Sequence, residues 1–355
     1  MQQNKTKKSH LKIIFVIAIL AVLITIVIVN FDIKEIIESI KTVHLGYFFI
    51  ALFMAFAYFI VFCISNQITL RTFDKKLPYI DGFLIHSTEF FINGITPFNS
   101  GSQPFQAYMF VKRGVDASNV TSVLVMNFFI YQVLTNIIAT LTLIFYFNTL
   151  TTTLMGSIYI ILVGYIINLL ILIILLALCF SKKIYKVIRG FINFFKRIKK
   201  LEKKATILSN KTEGFVTDFQ NGIKLLLKRK LTFLLIILTK LISLILFYAI
   251  TVLLIFAFRI NLTLEQIIYT IGITCFALTV MIWVPLPGAS GGTEWAFAQL
   301  IVTLSIAPLT QPVALAVMLL WRFLTYYLGL IYGGICNIIV NVRRKKEADL
   351  LGENK

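Results

Sequence analysis

Acidic and titratable side chains are what this sequence has least of: Asp and Glu together number 15 and His 3 in 355 residues. No Asp/Glu pair, His/Asp pair or metal-ligand cluster stands at a spacing suited to acid–base or metal chemistry, so neither a cofactor nor a metal is expected. His10, His44 and His86 are scattered, and Cys63, Cys179, Cys275 and Cys336 each lie within or at the end of an apolar run, none in a CxxC spacing. Such cysteines read as small buried hydrophobes. A GxxxxGK[ST] run is missing, which argues against nucleotide-driven work. Period-two alternation is missing too, which excludes a membrane β-barrel. The N-terminal lysines Lys5, Lys7, Lys8 and Lys12 precede an apolar run from Ile13 to Val29, as in a signal peptide. That run is long and no small-x-small cleavage site follows it, so it is read as a retained first helix.

What the sequence has in excess is apolar residues. They make up 59% of the chain, charged residues only 14%, and the mean hydropathy is +0.89; a soluble domain is about 45–50% apolar and about 25% charged. The excess falls in stretches long enough to cross a bilayer as helices, which takes about 20 residues each. Backbone polar groups cannot stay unpaired in hydrocarbon, so the expected fold is all-α, a polytopic transmembrane helical bundle. Spans are predicted at 11–30, 46–66, 118–147, 156–180, 231–258 and 309–340. Residues 1–340 then form one integral membrane domain, and 341–355 a short cytoplasmic tail.

The formal charge of +19 sits between the apolar segments, as the positive-inside rule expects of cytoplasmic loops. It is assigned to topology and to anionic phospholipid, not to nucleic acid. Both termini are placed in the cytoplasm. Arg71, Lys75 and Lys76 precede the apolar region 79–111, and Lys112 and Arg113 follow it, so this region should enter and leave on one face, as a re-entrant hairpin or a pair of short helices. Asn148–Met155 is read as an uncharged turn between two spans. The stretch 181–230 is the most basic, with Phe191, Ile192, Phe194, Phe195 and Ile198 interleaved. It is either a basic amphipathic helix on an anionic membrane surface or a solvated loop. Region 266–308 is interrupted as well and begins and ends on the outer side, as a second re-entrant element or two short spans. Two interrupted segments entering from opposite faces are the sequence pointer to an inverted repeat.

Three motifs carry the functional signal. The first runs from Asn93-Gly94 through Thr96-Pro97 to Gly101-Ser102-Gln103-Pro104 and Gln106, where Gly and Pro work against regular helix. Such backbone is tolerated at membrane depth only where it is buried in protein or lines a wet cavity. Glu89 lies one helical turn before Asn93, so both can face that cavity; an ordinary cytoplasmic loop is the alternative. The second is Pro285-Leu286-Pro287-Gly288-Ala289-Ser290-Gly291-Gly292-Thr293-Glu294-Trp295. It is a break before a short helix that Ser290 or Thr293 can cap, with an N-terminus that favours an anion. Glu294 is costly in an apolar region and reads either as functional or as a carboxylate at the helix cap. The third is Trp321-Arg322-Phe323-Leu324-Thr325-Tyr326-Tyr327, where Arg322 lies deep in an apolar span and needs a partner. Glu294 is the partner to propose, and Tyr326 shares the Arg322 face. Gly329 and Gly333 form a GxxxG spacing suited to close helix packing.

In this order and spacing the motifs resemble the family of the lysylphosphatidylglycerol synthase transmembrane region, also described as flippase-like. The likeness rests on Thr96-Pro97 with Gly101-Ser102-Gln103-Pro104, on Pro285, Pro287, Gly288, Gly291, Gly292 and Glu294, and on Trp321-Arg322 with Thr325-Tyr326-Tyr327. It runs from about residue 10 to 340; Ser102 departs from it, standing where a second glycine is expected. The resemblance implies lipid handling in a bacterial cytoplasmic membrane. In two-domain members this region is taken to flip aminoacylated phosphatidylglycerol, which a separate soluble domain makes. The sequence after the last span, to Lys355, is too short to fold as an aminoacyltransferase, so lysyltransferase activity is not expected. The leading reading is a lipid translocase whose substrate contacts come from Glu89, Asn93, Gln103, Gln106, Pro287, Gly288, Gly291, Gly292, Thr293, Glu294, Arg322 and Tyr326. A separate lipid-modifying enzyme is an expected partner. A membrane-embedded lipid-modifying enzyme and an accessory subunit of an envelope-lipid pathway are the alternatives.

Overall fold

The computed structural model describes residues 33–154, 156–180, 220–281, 292–306 and 309–350, together with Gly190, Gly214, Thr217, Asp218, Gly288 and Ala289. The span at 11–30 and most of the basic stretch 181–230 lie outside the described residues. So do Pro285, Pro287, Ser290 and Gly291.

The described chain is helical and holds no strand. In order it contains α1 (Ile33–Lys41), α2 (Leu45–Phe73), α3 (Tyr79–Ile95), α4 (Ser102–Lys112), α5 (Ala117–Phe145), α6 (Phe147–Leu154) and α7 (Ser157–Phe180). After these come α8 (Lys230–Ala257), α9 (Leu264–Met281), α10 (Gly292–Val302), α11 (Gln311–Arg322), a π-helical turn (Phe323–Tyr327) and α12 (Leu328–Leu350). Five stretches are long and apolar enough to cross a membrane: α2, α5, α7, α8 and the α11–π–α12 unit. The 29 residues of α2 extend about 43 Å at about 1.5 Å per residue, well beyond a hydrocarbon core of about 30 Å. Its last two turns carry buried Ser65, Asn66, Gln67 and Thr69 rather than a lipid-facing surface. Phe49, Phe53, Phe145, Tyr159 and Ile338 are exposed on the outside of the bundle, as expected where lipid takes the place of a partner. The chain is a multi-pass membrane protein.

Several expectations need correction. Asn148–Met155 is not a turn: 147–154 form α6, whose Thr151 and Thr152 hydroxyls donate to helix carbonyls one turn back, and Leu150 and Leu154 anchor it in the core. The last span runs to Arg343, close to the expected end, and its helix α12 continues beyond it to Leu350. That span is interrupted by the π turn after Arg322. The amphipathic helix α1 was not anticipated. It is short and lies between two apolar runs, and it packs on α11. Each of the two interrupted regions holds a pair of helices, α3–α4 and α9–α10.

Packing gives the bundle a reciprocal pattern. The spans that precede the two interrupted pairs, α2 and α8, pack closely on each other. Helix α3 packs on α12, which follows the second pair, and α9 packs on α5, which follows the first. Each half therefore lays its interrupted segment on the next span of the other half. The α3–α12 contact is made by Gly333: a Cβ there would lie 2.6 Å from the Phe91 backbone nitrogen and 2.9 Å from the Ser87 carbonyl oxygen. Two backbones at that separation leave no room for a side chain. Cys63, Cys275 and Cys336 are buried and reduced, in keeping with their reading as small hydrophobes.

Candidate functional site

The first interruption is built by its own side chains. Thr96 ends α3 by donating its hydroxyl to the Ile92 carbonyl at 2.8 Å and accepting the Gly101 N–H at 3.1 Å. Phe98 and Asn99 turn the chain with φ of 57° and 49°, a left-handed conformation that non-glycine residues adopt at a cost. Helix α4 then starts where the Asn93 side-chain oxygen accepts the Ser102 N–H at 3.1 Å. Serine at this position is 1% exposed. Gln106 seals the hairpin from α4, donating to the Glu89 carboxylate at 3.3 Å and the His86 carbonyl at 3.4 Å. At the far end Asp81, 3% exposed, accepts from Arg113 at 3.2 Å and from Arg343 at 3.0 Å, which ties α3 to α4 and to α12.

The second interruption meets the third motif. Arg322 Nε donates to Glu294 Oε1 at 2.6 Å, so the pairing proposed from sequence is present. Arg322 Nη2 donates to the Gly288 carbonyl at 3.1 Å, and the guanidinium sits 4.9 Å from the Tyr326 ring centre. Gly288 has φ +61°, and a Cβ there would fall 2.3 Å from the same ring, so this turn requires glycine on both counts. Thr293 is not the cap that the sequence suggested. Helix α10 already begins at Gly292, and the Thr293 hydroxyl donates to the Ala289 carbonyl at 3.0 Å. Tyr326 joins the two interruptions directly, its hydroxyl donating to the Gly94 carbonyl at 2.9 Å.

All of this surrounds one cavity of about 280 Å³. Glu89, Asn93, Gln103, Gln106, Gly288, Thr293, Arg322 and Tyr326 line it. Of the remaining sequence candidates, Gly292 and Glu294 lie in α10 on either side of Thr293 and are not among the lining residues, while Pro287 and Gly291 lie outside the described residues. Sequence reasoning missed a second group of lining residues: Tyr58, Asn66, Asn127, Tyr131, Lys240 and Trp321. Lys240 is 1% exposed in the middle of α8. Its ammonium donates to the Asn66 side chain and lies 4.6 Å from the Phe62 ring centre. The signal that exposes Arg322, a cation deep in an apolar span, applies equally to Lys240.

The cavity thus brings polar and charged groups together with apolar walls inside an apolar bundle. Both interruptions, one paired arginine and one buried lysine contribute to it. Among the described residues no cluster of His, Cys, Asp and Glu could hold a metal. Comparison with curated proteins gives no match. The sequence profile of the family described as "Lysylphosphatidylglycerol synthase TM region" matches residues 13–333, which contain all three motifs and every cavity residue, so the chain belongs to this family of integral membrane proteins of lipid metabolism.

Proposed function

We propose that this protein is a lipid translocase: it passes a phospholipid headgroup through the cavity while the acyl chains stay along the apolar outer faces. Aminoacylated phosphatidylglycerol is one substrate of this kind, supplied by a separate lipid-modifying enzyme. The observation that carries the reading is that the two interrupted segments meet on one cavity whose wall holds buried charged and polar side chains. Buried charge at membrane depth is costly and reads as a substrate or ion path. Interrupted helices are the usual way to line such a path, because their unpaired backbone groups face water or ligand. The volume of about 280 Å³ is close to the lower end of ligand pockets, about 300 Å³, which suits a headgroup and not a whole lipid.

The reciprocal packing of the halves supports an inverted repeat. In this reading α3–α4 and α9–α10 re-enter from opposite faces of a bacterial cytoplasmic membrane, both termini are cytoplasmic, and the basic stretch 181–230 rests on anionic lipid. The test is reconstitution in liposomes with headgroup-labelled lipids and an external quencher. Wild type should make inner-leaflet label accessible. Gln103→Trp, which places a ring at an exposed position of the cavity wall, should block it. If folded wild type moves no lipid, with or without an imposed ion gradient, the translocase reading is rejected in favour of an enzyme or an accessory subunit.

A further inference from the structure

Arg322 is the cation the motifs single out, yet its contacts are made within the protein. It holds Glu294 and the Gly288 carbonyl and lies against Tyr326, which itself holds Gly94. Those contacts fix α10, the turn at Gly288 and the end of α3 relative to one another. Lys240 faces the same cavity on different terms. Its hydrogen bond goes to the neutral amide of Asn66, and no ion pair among the described residues includes it. Glu89 lines the cavity too, but its carboxylate accepts from Gln106 and makes no ion pair with Lys240. Glu89 therefore acts on Lys240 only through space, across the cavity; a buried ammonium without a contact counter-ion is expensive, and a bound anion lowers that cost.

An independent observation points to the same place. Asn127 is only 8% exposed, lines the cavity, and neither its side-chain nitrogen nor its oxygen has a partner among the described residues. The indole N–H of Trp321, another lining residue, has none either. Buried polar side chains nearly always find partners. Those left without one at a cavity wall are free to meet a ligand. The ammonium and the two N–H groups are all donors, which suits the oxygens of a phosphate. The Asn127 oxygen accepts, which suits a hydroxyl or ammonium on the headgroup.

We propose that Lys240, Asn127 and Trp321 form the anion site of this cavity, that its ligand carries a phosphate group, and that Arg322 is a positioning residue that does not contact the phosphate. The assignment deepens the translocase reading and rests on it for the path the headgroup follows. Binding is measured by titration calorimetry on the full chain in detergent, using short-chain phosphatidylglycerol, glycerol phosphate and inorganic phosphate. Lys240→Met should lose at least about tenfold in affinity, since it removes a charge-assisted hydrogen bond, and Lys240→Arg should restore most of it.

Asn127→Leu guards against a folding artefact. It removes two unsatisfied buried atoms, so the ligand-free protein should melt higher while binding weakens; a purely structural role would move the two together. Preference for the lipid over both soluble phosphates assigns the anion to a headgroup, and equal affinity assigns it to free phosphate at the same residues. Wild-type affinity in both Lys240→Met and Asn127→Leu overturns the proposal. Scrambling that survives in Lys240→Met would also overturn it while leaving the translocase reading intact. Lysine-dependent binding with no scrambling would do the reverse.

Discussion

Removing either partner of the Arg322–Glu294 pair should cost more than the pair is worth, and a double-mutant cycle makes that visible. In Arg322→Met, the Glu294 carboxylate loses its 2.6 Å donor and the Gly288 carbonyl its 3.1 Å donor. Breaking a fully buried pair costs about 3–5 kcal/mol. The Glu294 side chain is 23% exposed, so its orphaned charge is partly solvated. The pair loss is therefore about 2 kcal/mol, with about 1 kcal/mol more for the carbonyl, or about 3 kcal/mol in all. Glu294→Gln keeps a neutral acceptor beside a cation still bonded to Gly288, and should cost about 2 kcal/mol. The double variant leaves no unpaired charge and should cost about 3 kcal/mol rather than the additive sum of about 5 kcal/mol, a coupling of about 2 kcal/mol. Reversible unfolding in mixed micelles, with denaturing detergent as the variable, measures all four corners. Additivity within about 0.5 kcal/mol would refute the reasoning, because it would mean the two groups do not share an interaction in the folded state.

Three further outcomes follow from single contacts. Gly333→Ala should lower stability by about 1–3 kcal/mol, because its Cβ meets α3 backbone that cannot move aside. Gly329→Ala, whose Cβ meets the Phe59 ring at an ordinary 3.5 Å, should stay within about 0.5 kcal/mol of wild type in the same unfolding assay. Tyr326→Phe removes the hydroxyl that joins the two interruptions at Gly94. It should cost about 1 kcal/mol and speed hydrogen exchange at the end of α3; unchanged exchange there would remove the link. Asp81→Asn should destabilise by about 2 kcal/mol, mostly through Arg113, which is 7% exposed, and little through Arg343, which is 42% exposed. Charge-neutralising Arg343→Gln should therefore be nearly silent in the same unfolding assay.

The parts of this architecture that were legible in the sequence are those that depend on local pattern. Apolar runs located the five spans among the described residues, and Pro and Gly at 94–104 and 285–292 marked where both helix pairs are interrupted. Cost arguments alone paired Arg322 with Glu294, 28 residues apart. What could not be read depends on partners far along the chain. Lys240 meets Asn66 across 174 residues, and its single charge vanished into the hydropathy of α8. Asn127 sits in an apolar run where nothing local distinguishes an amide facing a cavity from one facing a neighbouring helix. The π turn after Arg322 and the Tyr326 link to Gly94 follow from packing that no spacing rule encodes. Asn148–Met155 looked like a turn because it is polar and short, yet buried Leu150 and Leu154 make a helix of it. Gly333 was legible as a packing residue, but its partner helix was not.

The central claim is that headgroups cross the membrane through the cavity between the two interruptions. The most direct measurement is the rate at which inner-leaflet, headgroup-labelled phosphatidylglycerol becomes accessible to a quencher outside sealed liposomes. It would be taken with wild type, Gln103→Trp and Lys240→Met at equal amounts of folded protein. Rapid exposure by wild type, lost in both variants, is the expected result. Exposure at the rate of protein-free liposomes, or equal rates in all three proteins, would contradict it.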